Sequence, residues 1–266
     1  MANRYSQILE KIFFAHHTPG ATSFTFVRGE IESAAAAMGV KLPKNLGDVL
    51  YSFRFRTPLP PSIMKTAPQG KAWVIKLAGK GNYRFALEEQ WAISPSSGLL
   101  RIKVPNATPG IIARYALDDE QALLAIVRYN RLVDIFTSVT SYSLQSHLRT
   151  SVEDLGQIEV DELYVGIDRG GVHHVFPLQA KAGRDRMSSV QIEQDAAFCA
   201  ARFPNLVCRP LGAQFLGDGA IALFEFVATP EGLRLAAEKH YVLVAKGDLT
   251  DDDLAAYLSA NRAQPS

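Results

Sequence analysis

The stretch from Gly156 to Lys181 contains three side chains whose types suit metal and phosphate chemistry: Asp161, Gln179 and Lys181. Carboxylate and carboxamide oxygens are hard donors of the sort Mg2+ takes, and a lysine beside them offers a cation to a developing anion. They are distant along the chain, so a reversal must bring them together. Asp168-Arg-Gly-Gly171, flanked by two β-rich runs, is a strong hairpin signal. With the turn centred there, Asp161 falls opposite Leu178 and diagonal to Gln179. Alternation puts Gln179 and Lys181 on one face of the second strand, and Leu178 and Ala180 on the other. A carboxylate, an amide and a lysine therefore meet near one end of a hairpin. Singly, each has a plainer reading: Asp161 as an edge residue, Lys181 as a solvated cation. Their convergence favours a site.

Glu159-Val-Asp161, the turn, and an apolar strand ending in Gln179-Ala-Lys181 resemble the PD-(D/E)XK nucleases, a family that includes restriction endonucleases and many repair nucleases. The resemblance covers residues from about 150 to about 225. Ser188–Arg202 reads as a helix, and Leu206–Phe215 and Ala220–Val227 read as strands, which is the family's order of hairpin, helix and strand. It implies that Asp161 and residue 179 hold Mg2+, while Lys181 positions or activates water and stabilises charge at the phosphate. The implied activity is a Mg2+-dependent endodeoxyribonuclease acting on double-stranded DNA, of the type II restriction kind. One such site cuts one strand, so double-strand cleavage implies a homodimer or repeated nicking.

The chain departs from the family at Gln179, which offers a carbonyl oxygen where Glu or Asp is usual. Glu159, on the strand face of Asp161, is the candidate metal ligand to make up the charge. Glu193, one turn into the following helix, is the candidate catalytic carboxylate. Glu120 and Glu153 precede the motif, where some relatives place an extra acid. His173 and His174 read as solvated turn-end residues, His16-His17 as a helix end, and Cys199 and Cys208 as small core residues.

The N-terminal third must supply recognition if the reading holds. Local signals predict a helix on the apolar spacing of Tyr5, Ile8, Leu9, Ile12 and Phe13 that stops near His16–Gly20, helices over Gly29–Met38 and Pro43–Phe53, then a hairpin of Trp73–Leu77 and Tyr83–Leu87 about Gly79–Asn82. Three helices and a hairpin is the order of a winged helix. Between Lys41 and Arg84 nine basic residues face a single acidic one, Asp48. Lys44, Asn45, Arg54, Arg56, Lys80 and Arg84 are the expected DNA contacts, with Asp48 and Tyr51 also available for base reading. Residues 1–92 are thus expected to form a winged-helix-like DNA-binding domain. Turn-rich residues 93–117 would form a connecting region, and residues 118–266 the nuclease domain. Within the last, helices are expected over Asp118–Phe136 and Tyr142–Thr150.

The fold class expected is α+β, with a restriction-endonuclease-like α/β core around a central mixed sheet. A hydrophobic fraction of 47% with 21% charged residues describes a soluble chain with a sizeable core. Two cysteines exclude a disulfide framework and a four-thiolate zinc site. The N-terminus lacks a secretory apolar region and no run nears the ~20 apolar residues of a membrane span, so a reducing cytoplasm is the expected location. The competing functions are a non-enzymatic DNA-binding regulator, which metal binding would exclude, and a structure-selective repair nuclease, which the cleavage products would identify.

Overall fold

The computed structural model describes residues 4–43, 46–55, 57–79, 81–89, 93–117, 119–152, 156–182, 187–229 and 232–262. The chain divides into two compact units: residues 1–92, 150–158 and 188–194 form the first, and residues 93–149, 159–187 and 195–266 the second. It is an α+β protein. Among the described residues the strands form one small antiparallel sheet and one eight-stranded mixed sheet.

The first unit runs α1 (Arg4–His16), β1 (Ser23–Val27), α2 (Arg28–Ala37), α3 (Leu46–Phe55), α4 (Pro61–Met64), β2 (Lys71–Leu77) and β3 (Asn82–Glu89). Ile8, Leu9, Ile12 and Phe13 make the buried stripe of α1, as their spacing predicts. Phe13 meets the rings of Phe24, Trp73 and Phe85 edge-on at the centre of this core. The hairpin of β2 and β3 gains a strand the sequence reading lacked, because β1 pairs antiparallel with β3. Its end is abrupt: the Glu30 carboxylate accepts the Val27 N–H at 2.8 Å, so helix α2 starts where the strand stops. His16 ends α1, as expected, and bonds Glu30.

In the second unit and its sheet the order is β4 (Arg101–Pro105), α5 (Gly110–Tyr115), α6 (Glu120–Tyr129), α7 (Leu132–Thr137), β5 (Thr140–Val152), β6 (Gly156–Ile167), β7 (His173–Lys181), α8 (Ser189–Arg202), β8 (Val207–Cys208), β9 (Leu211–Phe215), β10 (Ile221–Thr229), β11 (Gly232–Val244) and α9 (Asp251–Arg262). The strands line up as β4-β11-β10-β9-β7-β6-β5, with β8 beside β7. Strands β7 and β9 are parallel, joined through α8, while β6 and β7 are an antiparallel hairpin.

Three expectations need correction. Residues 142–150 lie in strand β5, not a helix; four of the nine are Ser, Thr or Tyr, none a strong helix former, and β6 beside them supplies a ladder. The single helix expected over 118–136 is two. Arg131 takes a left-handed φ of 53°, and buried Asn130 bonds Ile126 O, Thr108 Oγ1 and Ala107 N, ending α6 and tying down the preceding loop. Residues 93–117 are more than a connection: β4 pairs in parallel with β11. The Tyr257 hydroxyl of α9 then takes the Lys103 N–H at that sheet edge.

No helix among the described residues is long and apolar enough to cross a membrane. The second core gathers Leu123, Val127, Tyr164, Phe176, Leu178, Ala180, Leu211 and Leu223. Phe176 lies fully buried at its middle. Phe176→Ala is expected to cost about 3–5 kcal/mol of stability, read by urea denaturation, whereas His173→Ala at the exposed start of β7 should change it by less than about 0.5 kcal/mol.

Candidate functional site

The site is built on the β6–β7 hairpin. Pairs run from Glu162↔Leu178 to Ile167↔His173, and continuing that register sets Asp161 opposite Gln179. The partner of Asp161 thus lies one residue further along β7 than the expected Leu178. The reason is the loop: Asp168 N bonds Val172 O, and the Asp168 carboxylate accepts the N–H groups of Gly170 and Val172, so residues 168–172 all belong to the turn. Those donors, with His174, hold the Asp168 carboxyl below its ordinary value. His174 is buried, against expectation; it reaches Asp168 at 3.2 Å and stacks on Phe176. His173 is exposed, as expected.

Asp161 is nearly buried, and its Oδ2 accepts the Ala180 N–H at 2.9 Å, tying the carboxylate across the hairpin. Burial raises its pKa; the Ala180 bond and the charge of Lys181 oppose that without cancelling it. Gln179 is 1% exposed, and its amide N–H donors go to Glu159 O at 3.0 Å and to Asp195 Oδ2 at 2.6 Å. Asp195, on α8, was missing from the sequence reading. It is buried, and desolvation pushes its carboxyl well above the ordinary value of 3.8; the Gln179 donor pulls the other way, while the charge of Asp161 adds to the rise.

Lys181 pairs with Glu120 at the first turn of α6 at 2.8 Å, so one of the two upstream acids does join the site; the other, Glu153, lies outside the described residues. In the parallel register, Gln214 stands beside Lys181 and Gly212 beside Gln179. Glu159 turns to Arg149, accepting Nε at 3.0 Å and Nη2 at 2.7 Å. Glu162, on the opposite face of β6, is fully buried in a two-pronged pair with Arg128 of α6.

Glu193 does not join this group. It pairs in the first unit with Lys76, which also bonds Glu88; burial would lower the Lys76 amine, but the two carboxylates outweigh it and hold the amine above its ordinary value. The helix carboxylate at Gln179 is instead Asp195, two residues on. A 3.6-residue repeat turns position 193 away from the face carrying Ile192, Asp195 and Cys199, and an acid within that buried stripe was the available signal.

Of the expected DNA contacts, Lys44, Asn45, Arg56 and Lys80 lie outside the described residues, as do the side chains of Asp48 and Tyr51. Arg54 donates to Ile75 O and to Gln194 Oε1 within the first unit. Arg84 is exposed on β3, the middle strand of the small sheet.

Among the described residues no group of three or more His, Cys, Asp and Glu side chains is arranged to hold a metal ion. The donors at hand are the carboxylates of Asp161 and Asp195 and the carboxamide of Gln179. Two buried carboxylates, each pushed toward its neutral form, are what a divalent cation would relieve, and oxygen donors suit Mg2+. No family model, curated protein or solved structure matches this chain.

The raised acids predict a pH dependence. A group that keeps its proton longer in the folded state binds more protons folded than unfolded, so stability falls as pH rises from the unfolded carboxylate value near 3.8 through the folded one. In metal-free buffer Asp195→Asn should flatten that slope and raise stability at neutral pH, measured as unfolding free energy from pH 4 to 8. An unchanged slope would mean that Asp195 is ionised in the folded protein.

Proposed function

We propose that this protein is a Mg2+-dependent endodeoxyribonuclease of the PD-(D/E)XK kind, most simply a type II restriction endonuclease reading a specific duplex sequence. The observation that carries the reading is the meeting of Asp161, Gln179, Lys181 and Asp195 at one end of the β6–β7 hairpin. The order β6, β7, α8, β9, with β9 parallel to β7, supports it.

Asp161, Asp195 and the Gln179 carbonyl are the residues that would hold Mg2+. The ion supplies charge at the phosphate and a bound water of lowered pKa. The chain's own residues do the rest. The Ala180 N–H anchors one oxygen of Asp161, and the Gln179 amide orients Asp195. Glu120 holds the Lys181 Nζ at 2.8 Å, and Lys181 would lend its cation to the scissile phosphate. Recognition falls to a winged-helix-like first unit, in which α3 enters the major groove and exposed Arg84 contacts backbone. With one site per chain, double-strand cleavage needs a homodimer or successive nicks.

Gln179 favours a second reading, a DNA-binding regulator without catalysis, because an uncharged amide stands where the family pattern has a carboxylate. Calorimetry separates the two: the nuclease binds Mg2+ or Mn2+ and the regulator binds neither while still binding DNA. In the decisive assay, protein with Mg2+ cuts plasmid DNA, and Asp161→Ala and Lys181→Ala each lower the rate at least about a hundredfold with circular dichroism unchanged. Cleavage that survives both substitutions would refute the assignment of the site.

A further inference from the structure

The first unit holds a cavity of about 260 Å³ between the end of α3, residues 57–59, Met64 of α4 and the first half of β2. Its lining comes from residues 53–75, all within this unit. A 150 Å³ apolar cavity takes benzene, so this one has room for an apolar group of roughly ten non-hydrogen atoms. Strand β2 is an edge of the small sheet, and its main chain forms one wall. Antiparallel pairs alternate between bonded and unbonded. The Ala78 N–H donates to Asn82 O, which makes the even-numbered residues of β2 the ones that bond β3. Leu87, opposite Trp73, accordingly sends its N–H the other way, to Thr22 O at 2.8 Å. Lys71, Trp73 and Ile75 therefore turn their main-chain groups outward. Pro68 O takes the Lys71 N–H, and Arg54 Nε takes Ile75 O. Among the described residues none bonds the N–H or C=O of Trp73, so one rung stands open at the cavity. Exposed Lys71, at the rim, makes no ion pair with a described residue, and no acid lines the cavity.

We propose that this cavity is a binding site for a small N-acylated amino acid with an apolar side chain. A single residue's worth of main chain complements the open rung: the ligand's amide N–H donates to the Trp73 carbonyl, and its carboxylate accepts the Trp73 N–H. The same carboxylate meets the Lys71 ammonium. The apolar side chain enters the cavity among Phe53, Leu59 and Met64. A longer peptide strand fits less well, because Pro68 and Arg54 already occupy the rungs on either side. A free amino acid would bring an ammonium that nothing acidic in the lining answers. The site lies outside the Asp161 cluster and does not depend on the nuclease reading.

The test is calorimetric titration of the full chain with N-acetyl-L-leucine, without DNA or metal. One molecule should bind per chain, with a Kd of about 1 mM or tighter. N-acetyl-L-leucinamide, which lacks the carboxylate charge, should bind at least about fivefold more weakly, and L-leucine should give no binding heat. Lys71→Ala should weaken the acid to the level of the amide and leave the amide unchanged. Met64→Trp, at a half-exposed position on the rim, should close the cavity and abolish binding with the circular dichroism spectrum unchanged. The ligand series is run on the wild-type protein, so it decides the matter even if a variant fails to fold. Absence of heat with N-acetyl-L-leucine, equal binding of the acid and the amide, equal binding of L-leucine, or unchanged binding in folded Met64→Trp would each overturn the proposal.

Discussion

The pairing of β6 with β7 is the constraint on which the site depends. Side chains alternate across a strand, so a slip of one residue would carry Asp161, Gln179 and Lys181 to the face now held by Leu178 and Ala180. Two independent features prevent that slip. The turn consumes residues 168–172 because the Asp168 carboxylate binds its backbone donors. Phe176, Leu178 and Ala180 are buried in the second core, and Glu162 is locked to Arg128, so the other face of the hairpin has one acceptable setting.

Electrostatically the site is poised rather than settled. Two carboxylates sit in a region poor in water, and the groups that answer them are an amide, a backbone N–H and a lysine already shared with Glu120. Burial therefore wins over the available donors at both Asp161 and Asp195. Glu162 shows the contrast: equally buried, it faces a guanidinium that matches it oxygen for nitrogen. The chain can satisfy a buried acid completely, and at Asp161 and Asp195 it does not. That difference is the physical reason to look for a cation or a proton at this place.

The exchange of Glu193 for Asp195 shows how a helix distributes its residues. Strand reasoning brings 161 and 179 together because period two is rigid and the turn is local. Helix α8 adds an orientation that depends on what its faces pack against. Its buried stripe runs through Ile192, Asp195 and Cys199, so Asp195 meets Gln179 while Glu193 is taken by Lys76.

Local chemistry in the amino-acid sequence was enough to establish the first three helices, the two hairpins, the helix after the second hairpin, and the meeting of Asp161, Gln179 and Lys181. Each rests on a period or a turn readable within a short window. The rest required partners distant in the chain. Residues 142–150 are a strand because β6 offers them a ladder, β4 is a strand because β11 does, and α6 stops at Asn130 because a distant loop claims its side chain. Asp195 and Glu120 became site residues only when packing set them against Gln179 and Lys181. Hydrogen bonds and burial between residues far apart in sequence leave no periodic trace, so only the folded chain could disclose them.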